Sequence, residues 1–86
     1  MKQLTRLRNI GSTVAKRLEE IGVFSEKDLE EMGSAEAYLR IQANYPESHL
    51  PVCYYLYSLE GALQNKDWRE FSDRQKLNMQ RAAGIR

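Results

Sequence analysis

The residues of this chain with the clearest chemical use lie in LRNIGSTVAKRL, Leu7 to Leu18. Leu4, Leu7 and Ile10 space a short apolar segment, and Val14, Ala15, Leu18 and Ile21 begin a helical pattern just after Gly11. Two helices joined by a tight turn are therefore predicted. Gly11 supplies a backbone that tolerates positive φ, Asn9 is the next best residue for that conformation, and Ser12 can cap the helix that follows. Such a turn leaves free N–H groups at a helix start, where a phosphate can sit. The amides of Gly11, Ser12 and Thr13 would point at one phosphate, with Asn9 shaping the turn and Arg8, Lys16 and Arg17 adding charge. Contacts of this kind grip a nucleic-acid backbone without reading its sequence, and they weaken steeply with salt. Hairpins of this shape also serve simply to pack helices, and that role stays open beside the phosphate site.

Other reactive side chains are sparse. The single histidine, His49, sits beside Ser48 and Pro51 at a helix start, and Cys53 follows it at the (i, i+4) spacing. That pair lacks an orienting third group and an oxyanion site, so a buried structural cysteine is expected rather than a nucleophile. Glu19, Glu20, Glu26, Asp28, Glu30, Glu31 and Glu36 lack the D-x-D-x-D-G loop that would bring their oxygens together on a cation. A phosphate-binding loop ending in Gly-Lys-Ser/Thr is also missing. The expectation is a protein that is not an enzyme and uses no cofactor and no metal.

Charge is distributed more tellingly than its total of +1 suggests. Lys2, Arg6, Arg8, Lys16 and Arg17 meet no acid over residues 1–18, a balance of +5, whereas seven acids against Lys27 leave −6 over residues 19–36. The opening segment is a local basic patch on a nearly neutral molecule, which argues against general coating of nucleic acid.

The elements that must position these groups read as one small all-α domain over residues 1–86. Hydrophobic content of 42% and charged content of 29% are ordinary for a globular chain. The lone Cys53 excludes an internal disulfide, no apolar run nears the roughly 20 residues of a membrane helix, and the start lacks a signal peptide. Cytoplasm is the expected compartment.

Proline and glycine punctuate the chain into about six helices. The second is expected from Thr13 to about Ile21, stopped by Gly22, with Val23 and Phe24 plugging the core. Ser25 caps a short third helix carrying Leu29 and Met32 inward; Gly33 ends it, and Ser34 caps a fourth with Ala37, Tyr38 and Ile41 on one face. Ser48 is expected to cap a central core helix bearing Val52, Leu56, Leu59 and Leu63, with Tyr54, Tyr55 and Tyr57 around it. Gly61 inside that helix suggests a close contact. Asp67 can cap a turn that folds Trp68 and Phe71 back, and Ser72 with Gln75 fits a capping box for the last helix, which Gly84 ends ahead of Ile85 and Arg86. Leu7, Ile10, Gly11, Ser12 and Ala15 recur 22 residues later as Leu29, Met32, Gly33, Ser34 and Ala37, a modest echo consistent with two adjacent hairpins or with shared structural grammar.

Over LRNIGSTVAKRLEEIGVFSEKDLEEMGSAEAYLR, and again at SLEGALQNKDWRE, the sequence resembles the C-terminal domain of the TfoX/Sxy family of bacterial competence regulators. Ile10-Gly11, Ile21-Gly22 with Ser25 and Asp28-Leu29, Tyr38-Leu39-Arg40, Leu59-Glu60-Gly61-Ala62-Leu63 and Trp68-Arg69 carry the likeness. The resemblance implies a compact bundle of five to six short helices beginning with a helix-hairpin-helix-like motif, of the SAM or helix-hairpin-helix kind, tied to DNA-related regulation. The general helix-hairpin-helix signature has a Gly-apolar-Gly turn and often a lysine two positions beyond the second glycine; here Asn9 and Thr13 stand there. Competence regulators also carry an N-terminal domain, whereas this chain starts with the C-terminal module. The expected partner is the phosphate backbone of double-stranded DNA, with no membrane involved. The alternative is a protein-interaction or homodimerisation module without nucleic acid, in which basic and acidic segments pair and tyrosines form the contact.

Overall fold

In the computed structural model, residues 4–47, 50, 51 and 53–84 are described. The expected cap Ser48, the apolar Val52 and the trailing Ile85 and Arg86 lie outside them. Among the described residues the architecture is all-helical: a 3-10 turn at Leu4–Arg6, α1 (Ser12–Glu20), α2 (Glu26–Met32), α3 (Ser34–Asn44), a π turn at Cys53–Tyr57 running directly into α4 (Ser58–Gln64), a 3-10 turn at Trp68–Glu70, and α5 (Asp73–Ala82). The expected bundle is present, with its first arm shortened to a single 3-10 turn. Leu4, Leu7 and Ile10 are still buried, so their spacing reported burial correctly while three residues were too few to make an α-helix.

Local signals set most boundaries. The Ser25 hydroxyl accepts from the Asp28 amide at 3.2 Å, and Ser72 and Gln75 exchange reciprocal bonds at the start of α5. After α1, Gly22 takes φ +87°, the Gly22 amide bonds the Glu19 carbonyl, and the Val23 amide bonds the Leu18 carbonyl. This is a Schellman turn, and its apolar partners Val23 and Leu18 are both fully buried. The expectation that Phe24 also plugs the core is corrected. Phe24 is 56% exposed, because the Schellman turn uses Val23 as its apolar plug and the next amide is held by Asp28 Oδ2 at 3.1 Å, which directs the chain outward.

Two expected caps are also corrected. Gly11 and Gly33, not Ser12 and Ser34, occupy the positions before α1 and α3, and neither helix start has a side-chain cap. Ser34 is buried and donates instead to Glu60 Oε1 at 2.6 Å, while Gln64 donates to Glu60 Oε2 at 2.6 Å. That bridge ties α3 to α4, and a buried hydroxyl with an across-helix acceptor is satisfied without capping.

One hydrophobic cluster joins α1, α2, α3, the π turn and α4 through Leu18, Val23, Leu29, Ile41, Leu56 and Leu59, with Leu4, Phe71 and Ala83 in the same cluster and Met79 of α5 packed against it. α3 packs on α1, α2, α4, α5 and the π turn. From Tyr55 to Leu59 every residue is buried, so this stretch is enclosed on all sides as a core helix should be. Tyr38, Tyr55 and Tyr57 belong to the core, which removes them from the contact surface that the interaction reading assigned to tyrosines. Phe71 is buried and Trp68 packs partly against the cluster, as the sequence suggests.

The 22-residue echo has a structural counterpart. The Ala15 amide bonds the Gly11 carbonyl and the Ala37 amide bonds the Gly33 carbonyl, both at 3.0 Å. The glycines differ, with φ −89° at Gly11 and +87° at Gly33, since α2 runs straight into Gly33 whereas an irregular turn precedes Gly11.

Candidate nucleic-acid interface

The start of α1 is built from below by the buried Leu4, Leu7 and Ile10. The Leu7 amide bonds the Leu4 carbonyl at 3.0 Å and the Ile10 amide bonds the Leu7 carbonyl at 3.2 Å, so two successive tight turns carry the chain to Gly11. The positive φ falls on Asn9, at +70°. Asn9 thus takes the left-handed conformation that the turn needs, while Gly11 is extended with no requirement for positive φ.

Asn9 is held there by a distant partner. Its side-chain amide donates to the Lys66 main-chain oxygen at 2.8 Å. A second Schellman turn, at the end of α4, presents that oxygen: Asn65 is left-handed at φ 53°, the Asn65 amide bonds the Ala62 carbonyl, and the Lys66 amide bonds the Gly61 carbonyl. Gly61 lies beneath the crossing, where an added Cβ would come within 2.4 Å of both Asn9 Nδ2 and the Lys66 oxygen. The close contact suggested by a mid-helix glycine is real, but nothing in the spacing named Asn9 and Lys66 as its occupants.

Gly11, Ser12, Thr13 and Lys16 are exposed at the head of α1. With no side-chain cap, the first-turn amides lack an intrahelical acceptor and carry the positive end of the helix dipole. Lys16, one turn on, makes no ion pair among the described residues. Arg8 is half-exposed and stands 4.0 Å from Glu70 Oε2, a loose surface pair of small energy. Arg17 is placed elsewhere. Its guanidinium lies 4.4 Å from the Tyr45 ring centre, 3.5 Å from Glu20 Oε1, and bonds the Tyr55 side chain. The Tyr45 hydroxyl donates to the same Glu20 oxygen at 2.7 Å, which pushes its pKa up. Arg17 fastens α1 to the end of α3.

The predicted set therefore divides. Gly11, Ser12, Thr13 and Lys16 form an open helix start; Asn9 supports it from inside, Arg17 is occupied at the side, and Arg8 stands beside Glu70 and lines a pocket with Arg6, Glu26 and Asn65. His49 and the side chain of Cys53 lie outside the described residues. Among the described residues no three His, Cys, Asp or Glu side chains gather as a metal site, and no helix is long and apolar enough to cross a membrane.

Residues 1–83 match the TfoX C-terminal domain. The chain belongs to that family. The TfoX C-terminal domain family is regulator-related rather than enzymatic in type. Two crystal structures from Listeria monocytogenes are similar to this TfoX C-terminal domain. A triclinic form of an uncharacterized protein shares 32% identity at a TM-score of 0.80, covering 92% of this chain and 86% of that one. A tetragonal form of a protein of unknown function shares 32% identity at 0.80, covering 94% and 96%. No curated protein matches the chain significantly.

Proposed function

We propose that this TfoX C-terminal domain is a non-enzymatic bacterial regulatory module that holds double-stranded DNA weakly and without sequence preference. The observation that carries the reading is the uncapped, exposed start of α1, with Lys16 one turn above it and in no ion pair among the described residues. The amides of Gly11, Ser12 and Thr13 take one phosphate, and Lys16 and Arg8 neutralise its neighbours. Asn9 acts by fixing the turn, and Arg17 by fixing the helix. This role belongs to the cytoplasm, where bacterial DNA is found.

With Arg17 held by Tyr45 and Glu20, two of the three expected cations remain, so the salt dependence is less steep than the sequence suggests, with log K falling against log salt at a slope of about −2. Fluorescence anisotropy of a labelled duplex at low and moderate salt tests this. Binding at low salt that is lost in an Arg8→Ala/Lys16→Ala variant supports the reading. No binding at low salt, or unchanged binding in that variant, overturns it.

A further inference from the structure

α5 is attached to the molecule differently from the other helices. α1, α2, α3 and α4 each enclose an aliphatic side chain completely, through Leu18, Leu29, Ile41 and Leu59, whereas none of the ten residues of α5 is buried. The cause lies in its sequence. The side that lies on α3 and the π turn carries Lys76, Met79 and Gln80, with Ala83 one turn beyond Met79, so a stripe that should be apolar is half polar. Along one flank of α5, Asp73, Lys76, Leu77 and Gln80 face Tyr57 across a depression of about 330 Å³. Along the opposite flank, Gln75, Asn78 and Met79 face Phe71 across another of about 200 Å³.

The attachment is therefore specific rather than broad. Phe71 before α5 and Ala83 after it are buried, and between these anchors the main hold is on one residue of the π turn. Gln80 donates through Nε2 to the Tyr57 hydroxyl, and the Lys76 ammonium stands 5.7 Å from the Tyr57 ring centre. Met79 packs only partly against the core cluster, to which Tyr57 itself belongs. A ten-residue helix is marginal in water without tertiary support, so α5 loses its helical form once it leaves this seat.

We infer that α5 is a strap that opens as a unit while α1 to α4 stay folded, with Ser72 as its hinge and Tyr57 as its catch. Opening gives up the Met79 and Ala83 contacts and the two contacts with Tyr57, but it leaves Leu18, Leu29, Ile41 and Leu59 enclosed on their own helices. It bares Tyr57 and the faces of α3 and the π turn that α5 covers. The bond from Asn9 to Lys66 lies ahead of the hinge, so the head of α1 keeps its shape in both forms, and the strap is independent of the DNA reading.

Native-state hydrogen exchange of the full chain, read by NMR at urea concentrations below the unfolding transition, tests the inference. The amides of Leu77 to Gln80, in the middle of α5, should be protected ~100-fold less than those of Ile41 and Leu59. They should also share one weak dependence on urea, because opening the strap exposes less surface than unfolding the chain. Two variants separate the local event from the global one. Val14, buried on α1, keeps its contacts when the strap is open, so Val14→Ala should speed exchange at Ile41 by ~10-fold and leave α5 unchanged. Tyr57→Phe keeps the ring and removes the acceptor of Gln80, so exchange throughout α5 should rise about 5-fold. A single protection level and urea dependence for α5 and Ile41 would overturn the inference, as would equal acceleration of both by Val14→Ala. Unchanged α5 exchange in Tyr57→Phe would overturn the role of Tyr57 as the catch.

Discussion

Asn9 donates through its side-chain amide to the main-chain oxygen of Lys66 at 2.8 Å, across 57 residues of sequence. The bond passes over Gly61 at a distance no Cβ could share, and it holds a left-handed residue in the turn that opens α1. The first and fourth helices are thereby locked through one side chain and one missing side chain.

Gly61→Ala should therefore destabilise the fold despite alanine's helical preference. Alanine gains about 1 kcal/mol in an open helix, but here its methyl meets a backbone oxygen that cannot swing aside, and overpacking costs about 1–3 kcal/mol or more. Breaking the Asn9 bond adds to that cost. A net loss of about 2 kcal/mol in urea denaturation is expected. Gly11→Ala, with nothing within 4 Å and φ −89°, should lose less than about 1 kcal/mol. Equal losses at the two glycines would contradict the crossing.

Asn9 itself separates conformation from bonding. Asn9→Gly keeps the left-handed turn and loses the bond, a cost of about 1 kcal/mol, whereas Asn9→Ala loses both and should cost about twice as much. Chemical denaturation of the two variants checks the order.

At the head of α1, stability and DNA binding should move in opposite directions. Gly11→Asp supplies the cap that the helix lacks and a negative charge beside its dipole, gaining about 0.5 kcal/mol. The same carboxylate occupies the amides and repels phosphate. Thermal melting should rise slightly while duplex binding in anisotropy falls; a variant that melts higher and binds DNA as before would show that these amides do not hold phosphate.

Asp67 gives a pH signature. Its side chain accepts from the Arg69 guanidinium and from the Arg69 amide, and these bonds lower its pKa to about 2. A folded pKa below the unfolded one means that the contribution is fully present above about pH 4 and fades as pH falls toward 2. Because the carboxylate is exposed, salt should reduce the effect. An NMR titration should find Asp67 well below an ordinary aspartate, and Asp67→Asn should flatten stability against pH in that acid window.

The buried leucines set the scale for these effects. Leu18 and Leu59 are fully enclosed, so Leu18→Ala and Leu59→Ala should each cost about 2–5 kcal/mol. Phe24→Ser should change stability by less than about 0.5 kcal/mol. Denaturant midpoints of the three variants test which side of Val23 faces the core.

By itself, the sequence determined the helical class, the apolar faces and most helix ends. Ser25, Ser72 and Asp67 cap as their types predict, and Gly22 and Gly33 stop helices as expected. Those features are local, since a cap or a Schellman turn is complete within about six residues of chain. Family membership was legible from the same short runs, Ile10-Gly11 through Trp68-Arg69, and Gly61 announced a close approach. The position of the first helix start was legible to within one residue, with Gly11 rather than Ser12 before α1.

Tertiary structure alone decided which polar groups remain free to act. Asn9 turned to Lys66, Ser34 to Glu60, and Arg17 to Tyr45, each partner lying on another element, with Glu20 of the same helix completing the Arg17 contact. Docking selects such partners, because a buried amide or hydroxyl must find an acceptor wherever packing brings one. Spacing along the chain marks the residues able to bond, but the distance between folded elements fixes which bond they make. For LRNIGSTVAKRL that division left Lys16 and the first amides of α1 facing outward, with Asn9 and Arg17 holding them in place.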